Sequence, residues 1–253
     1  AVIYGGASVA TFMLLKERAT PNPQALRESG GKASLHQLRK TFSQARQYKD
    51  FMRLLMCAVF YHGGVAVAIS LAAIYAEQVI GFKPQETMVL IFVLNIAAAA
   101  GAFAFGYWQD HVGHKLALGV TLVGWIATCV IAAVVTTKGG FWGACTIAGL
   151  CMGSSQSAGR AMAGMFAPRR QLGEFFGLWT FAGRLASIIG PLSYGVITWM
   201  TGGNQRIALL STSVLFVIGL LLLLPIDMKR GRAAADRADA VADADAEGAL
   251  VRL

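Results

Sequence analysis

The stretch GAFAFGYWQDHVGHKLALG, residues 101–119, runs from one apolar segment into another across a charged hexapeptide, DHVGHK. Gly106 and Gly113 permit close backbone approach and a tight reversal. Asp110 is suited to accept hydrogen bonds from the exposed amides at a neighbouring helix start. Lys115, assisted by His114, stays at the lipid headgroup level, where a charge costs little. The hexapeptide therefore reads as a turn joining two transmembrane helices, and the remaining sequence is tested against that reading.

Composition agrees with it. Of 253 residues, 56% are hydrophobic and only 14% charged, whereas a soluble domain carries about 25% charged residues. The mean hydropathy is +0.57. A net charge of +9 raises nucleic acid as a partner, but that requires basic residues sharing a face with stacking aromatics. Here they collect at the ends of apolar runs, so no nucleic-acid partner is expected. Cys57, Cys129, Cys145 and Cys151 all lie inside apolar stretches and lack the paired spacing of a zinc or redox site. They read as small buried residues, and no metal is expected.

A bilayer core of about 30 Å takes roughly 20 apolar residues in a helix. Six segments satisfy this: 54–77, 87–109, 116–136, 141–166, 174–200 and 206–226. A seventh, AVIYGGASVATFMLL at 1–15, is too short to cross and reads as the end of a preceding span. Seventeen lysines and arginines fall in the 16–53 linker, alternate turns and the 227–253 tail, against Lys83, Lys138 and Arg206 on the other side. The positive-inside rule then makes the linker, the 110–115 and 167–173 turns and the tail cytoplasmic. Residues 34–53 suit an amphipathic helix on the membrane surface, or a solvated linker helix. The Ala/Asp-rich tail after Arg230 has no large apolar face and is expected to be disordered.

The spacing G-x-x-x-D-x-x-G-x-K from Gly106 to Lys115 resembles the loop signature of the major facilitator superfamily, which recurs between the second and third helices of each six-helix half. The resemblance implies an all-α membrane protein, the six-helix carboxyl-terminal half of a major-facilitator-type bundle, preceded by the tail of an earlier helix. It also implies a gate in which Asp110 contacts the start of the 174–200 helix in the outward-open state. His111 stands where many members have Arg, which removes one fixed positive charge from that gate.

Residues 149–197 are similar to the signature region of the Atg22-like, or UMF1, branch of that superfamily. The matching positions are Gln156, Arg160, Pro168, Glu174, Phe175, Phe176, Gly177, Leu178, Gly183, Arg184, Gly190 and Pro191, with Arg184 replacing the usual Lys. Phe60, Tyr61, His62, Gly63 and Gly64 fall where the branch often has an aromatic, an acid and Gly; the acid is missing here.

Ionisable groups at membrane depth need water, a partner or an interface. Arg184 lies about ten residues into its helix, roughly 15 Å at 1.5 Å per residue, too deep to reach back to the surface. It is read either as a ligand for a substrate carboxylate or phosphate or as half of a permanent ion pair. Arg160 lies nearer the cytoplasmic end and suits a gate or anchor, reaching the interface or pairing with Glu174. Gln156 shares its face. Tyr61, His62 and Asn95 are candidate pathway residues, with interhelical hydrogen bonding as the alternative. Pro191, flanked by Gly190 and Gly195, is expected to kink its helix as a hinge.

These features, with the resemblance, favour a secondary transporter that moves a small solute by alternating access, as efflux or exchange. Amino acids, the solutes of fungal vacuolar members, or other carboxylate-bearing molecules are the candidates. A non-transporting sensor or scaffold and a lipid or peptide transporter are the alternatives. No motif of hydrolytic, metal-dependent or nucleotide-driven chemistry occurs, so an enzyme is not expected. Expected partners are the lipid bilayer, a small-molecule solute and an amino-terminal six-helix half, in the same chain or as a separate subunit. No cofactor is expected, and any coupling proton or ion is unassigned. The expected location is the bacterial inner membrane.

Overall fold

The structure, a computed structural model, describes residues 41–43 and 45–250. The 1–15 segment and the linker up to residue 40 lie outside these residues; of the helix expected over 34–53, the part from Lys49 on forms the start of the first span. From Lys49 the chain forms six long helices and a seventh beyond them: α1 (Lys49–Tyr75), α2 (Pro84–Val112), α3 (His114–Val134), α4 (Lys138–Phe166), α5 (Leu172–Met200), α6 (Gln205–Leu223) and α7 (Met228–Leu250). A π-helical turn, Ala76–Ile80, extends α1, and a 3-10 turn, Arg169–Gln171, leads into α5.

Local chemistry sets the ends. Gly81, at φ +79°, closes the π-turn. Pro84 opens α2, where it lacks an amide that would need a partner, and the Lys83 N–H donates to Glu86 Oε2 at 2.7 Å. The turn expected at DHVGHK shrinks to one residue between helices. Gly113, at φ +91°, ends α2 and starts α3, a conformation that suits a residue without Cβ. Asn204 Oδ1 accepts from the Arg206 and Ile207 amides at 3.1 and 3.2 Å and caps α6.

Five of the six spans are long and apolar enough to cross a bilayer by themselves; α4 is not among them. Its GACTIAGLCMGSSQSAG sequence exchanges bulk for small residues, and neighbours enclose it on two sides, α2 and α3. Since α3 ends on one side of the bundle and α5 begins on the other, α4 must cross between them.

The pairing of helices reveals how the bundle is built. The most extensive contacts are α2 with α4, α1 with α5, α3 with α4, α1 with α6 and α3 with α6. Exchanging α1, α2, α3 for α4, α5, α6 reproduces this set, and α1 and α4 cross in opposite directions. The six helices are thus two inverted triplets, the architecture of many transporter halves. The central crossings use glycine. A Cβ on Gly153 would collide with the Ala98 carbonyl, and one on Gly101 with the Leu150 carbonyl, at the α2–α4 crossing. At the related α1–α5 crossing, a Cβ on Gly190 would collide with the Gly63 carbonyl.

The α3–α6 pair, which is its own image under that exchange, is fastened at both ends by the same device. The second residue of α3, Lys115, donates to the Leu224 and Ile226 carbonyls past the end of α6, both at 2.7 Å. The second residue of α6, Arg206, donates to the Ala133 and Val135 carbonyls at the end of α3, at 2.9 and 3.1 Å. Cations there satisfy carbonyls that lack helical partners and complement the negative ends of the helix dipoles. Between them, Trp125 of α3 stacks on Phe216 of α6 with ring centroids 5.1 Å apart.

One expectation is corrected. The tail is helical over Met228–Leu250. It docks through small residues and a buried charge, which needs no large apolar face. Asp50 of α1, only 3% exposed, accepts from Arg230 Nη2 and Nε at 2.6 and 2.7 Å. The Asp227 amide adds a third bond to Asp50 at 3.1 Å. Gly231 lies against Phe166, Ala235 is buried, and Asp239 and Asp243 accept from the Arg169 amide and the Arg170 guanidinium at 2.9 and 2.8 Å. Helix α5 continues through Pro191. Gly190 is a crossing contact, and Gly195 has open space where a side chain would be.

Candidate functional site

On one flank of the bundle, α1, α4 and α5 form an open cleft of about 550 Å³. Helical spacing explains which side chains reach it. On α4, Gln156 and Arg160 are one turn apart; on α5, Phe176, Thr180, Gly183, Arg184 and Ser187 follow one face; on α1, His62 completes the lining. The His62 ring meets the Trp179 ring edge-on, with centroids 5.5 Å apart. Thr180 and Ser187 donate their hydroxyl protons to the Phe176 and Arg184 carbonyls at 2.9 and 2.7 Å.

The charge in the cleft is one-sided. Arg160 and Arg184 are exposed in it, and neither makes an ion pair among the described residues. No carboxylate among the described residues lines it. Arg184 lies twelve residues from the start of α5, about 18 Å along a helix of 1.5 Å rise. A guanidinium at such depth demands water or an anion, because unpaired charge in hydrocarbon is strongly unfavourable, and Arg160 of α4 adds a second positive charge to the same cleft.

The expected pathway residues separate into two groups. Arg184, Gln156 and His62 meet in the cleft, and Arg160, expected as a gate or anchor, joins them. Tyr61 does not line it. It is fully buried behind the wall, its hydroxyl against Gly159 and without a hydrogen-bond partner among the described residues. Asn95 lies elsewhere on α2, exposed, its Nδ2 donating to the Ile91 carbonyl at 2.8 Å. Trp179, Thr180 and Ser187 were missed; a helical-wheel reading outward from Arg184 finds all but Trp179.

The expected gate does not assemble within the described residues. Asp110 is exposed and makes no hydrogen bond to the start of α5, because α2 lies against α4 while α5 lies against α1. Its neighbour Gln109 turns inward instead and donates to Ser157 Oγ at 3.3 Å. Gly106 faces open space, Gly113 makes the reversal, and Lys115 caps α6. Arg160 and Glu174 do not pair; Glu174 Oε2 accepts from Thr41 Oγ1 at 3.1 Å.

Inverted helical triplets, glycine crossings and a charged cleft at membrane depth define a multi-pass membrane half-bundle of the major facilitator type. The solved structure of a bacterial homolog of the human lysosomal transporter Spinster, inward-facing and unoccupied, has this fold: TM-score 0.57 at 16% identity, over 88% of this chain and 56% of that one. The family described as vacuole effluxer Atg22 like matches residues 2–236, and the chain belongs to it. The uncharacterized MFS-type transporter YxiO of Bacillus subtilis strain 168 is 30% identical over 75% of this chain and 44% of its own length. Autophagy-related protein 22-1 of Penicillium rubens is 26% identical over 85% of this chain and 40% of its own. The chain thus spans less than half the length of these relatives.

Proposed function

We propose that this chain is one half of a secondary transporter that moves a small anionic solute across the membrane by alternating access, as efflux or exchange. The observation that carries the reading is the cleft, in which Arg160 and Arg184 face open space with no carboxylate among the described residues to neutralise them. A carboxylate-bearing solute, amino acids included, supplies the missing charge through charge-assisted hydrogen bonds. The opposite wall is contributed by an amino-terminal six-helix half, in the same chain or as a separate subunit. The lysines and arginines of the turns and tail set the cytoplasmic side, in a bacterial inner membrane. The Asp110 turn meets that other half, which gives its exposed carboxylate a helix start to contact.

Counterflow of labelled carboxylates and amino acids through the assembled transporter in proteoliposomes tests the reading. Saturable exchange is expected. Arg184→Ala should lower it roughly 10- to 100-fold, the worth of one charge-assisted hydrogen bond at about 1.5–3 kcal/mol, with the folded yield unchanged. Exchange that survives Arg184→Ala intact returns Arg184 to a structural role. Absence of exchange with every solute, in folded protein, removes the transporter reading and favours a sensor or scaffold.

A further inference from the structure

On a flank apart from the cleft, α3 and α6 enclose an open groove of about 710 Å³. Leu116, Val120 and Val123 of α3 line it together with Leu220 and Leu224 of α6. A Cβ on Gly119, between them, would meet only the tips of Leu223 and Leu220, at 3.7 and 3.9 Å. Leu116, Val120, Val123 and Leu224 are exposed, so this apolar lining lies open. At one end the groove turns basic. His114 and Lys115, the first two residues of α3, line it there. Two of the three Lys115 Nζ protons go to the Leu224 and Ile226 carbonyls, which leaves one. His114 Nδ1 is buried without a hydrogen-bond partner among the described residues. No carboxylate among the described residues lines the groove. Asp227, beside the lining Met228, is engaged by the Lys229 and Arg230 amides at 2.9 and 3.0 Å.

We infer that the groove is a binding site for an anionic phospholipid of the cytoplasmic leaflet, its phosphate at His114 and Lys115 and one acyl chain between α3 and α6. Dimensions, charge and position argue for this occupant. From His114 to Val123 the lining runs nine residues along α3, about 13 Å at 1.5 Å per residue. One leaflet of the bilayer core is about 15 Å deep. The groove therefore has the reach of an acyl chain that hangs from the headgroup level. Its basic end lies on the side that the lysines and arginines of the turns and tail mark as cytoplasmic, where the leaflet carries anionic lipid. The amino-terminal half is needed at the cleft, on α1, α4 and α5. From those helices, among the described residues, only Met165 reaches the groove, so this flank is left to lipid. The site depends on the membrane orientation proposed above, not on the solute that the cleft takes. A chain seated between α3 and α6 bridges the clamped pair, so binding adds stability.

In the test, the assembled transporter, delipidated in detergent, receives dioleoyl phosphatidylglycerol or dioleoyl phosphatidylcholine, and its melting temperature is followed against lipid concentration. The anionic lipid should bind tighter by about fivefold or more, since each Lys or Arg beside an anionic surface contributes about that factor. Equal affinities would overturn the inference. Two variants locate the effect. Lys115→Gln should cut the preference about fivefold; the two lipids are compared within the variant, so its own loss of stability drops out. Val120→Trp fills the groove from an exposed position. It should remove most of the stabilisation by the anionic lipid, with the lipid-free melting curve of the same variant as reference. An undiminished preference in Lys115→Gln, or undiminished stabilisation in Val120→Trp, places the lipid elsewhere and overturns the inference. Glycerol 3-phosphate, a headgroup without chains, should leave the melting temperature unmoved. A rise matching the lipid's makes the site one for free phosphate and also overturns the inference. Solute exchange enters none of these readings, so the transporter proposal stands or falls separately.

Discussion

At Gly153 a single methyl group decides whether two helices can cross. A Cβ there would collide with the Ala98 carbonyl, and a carbonyl on a packed helix has nowhere to go. Gly153→Ala should therefore destabilise the bundle by about 1–3 kcal/mol, the usual cost of overpacking, read as a lower melting temperature in detergent. Gly195→Ala is the control: nothing lies within 4 Å of its Cβ, and helix propensity alone favours the change by up to about 1 kcal/mol. If both variants melt alike, the crossing is not where the α2–α4 contact is decided. At the clamps, Lys115→Met and Arg206→Met each leave carbonyls uncapped at one end of the α3–α6 pair. Each should lower stability by about 1 kcal/mol. Polar and charged residues inside apolar helices were legible from sequence, because they stand out against hydrocarbon; so Arg160, Gln156, His62 and Arg184 could be found. Tyr61 was not separable from them. Whether a residue on α1 faces the cleft or the core depends on which helix packs behind it, and no local pattern carries that.

The elements show the same limit over longer distances. The turn at residues 110–115, the order of the spans and their approximate ends follow from apolar length and from glycine, proline and charge at the borders. Helix α7 does not, because what orders it is a pairing across 180 residues, Arg230 with Asp50. Composition shows only an Ala/Asp-rich stretch there, equally suited to solution. Asp50 is the more sensitive partner, since it is buried and accepts from both Arg230 and the Asp227 amide. Asp50→Asn keeps the shape and removes the charge. It should weaken docking of α7 by roughly 2 kcal/mol, seen as faster amide exchange throughout Met228–Leu250 with the six spans unchanged. Unchanged exchange would show that Phe166, Ala235 and the Arg169–Arg170 contacts hold the helix without it.

At the scale of the molecule, the two inverted triplets account for the arrangement of the parts. The α3–α6 pair, clamped at both ends, forms a rigid unit, while α1, α4 and α5 present polar side chains to an open cleft. On the proposed reading, the half-bundle rocks as a body against its counterpart. Alternating access requires the cleft to be part of a water-filled pathway opened in turn to each side of the membrane. All four native cysteines of this chain are buried, so a cysteine placed in the cleft reports with little background. Ser187, exposed beside Arg184, is the position to use. Ser187→Cys in the assembled transporter, its other half freed of cysteines, would be treated with a membrane-impermeant maleimide in right-side-out and in inside-out vesicles. Labelling from both sides, with rates that shift in opposite directions when solute is added, is the predicted result. A thiol that reacts from neither side, or from one side at a rate indifferent to solute, would contradict the account.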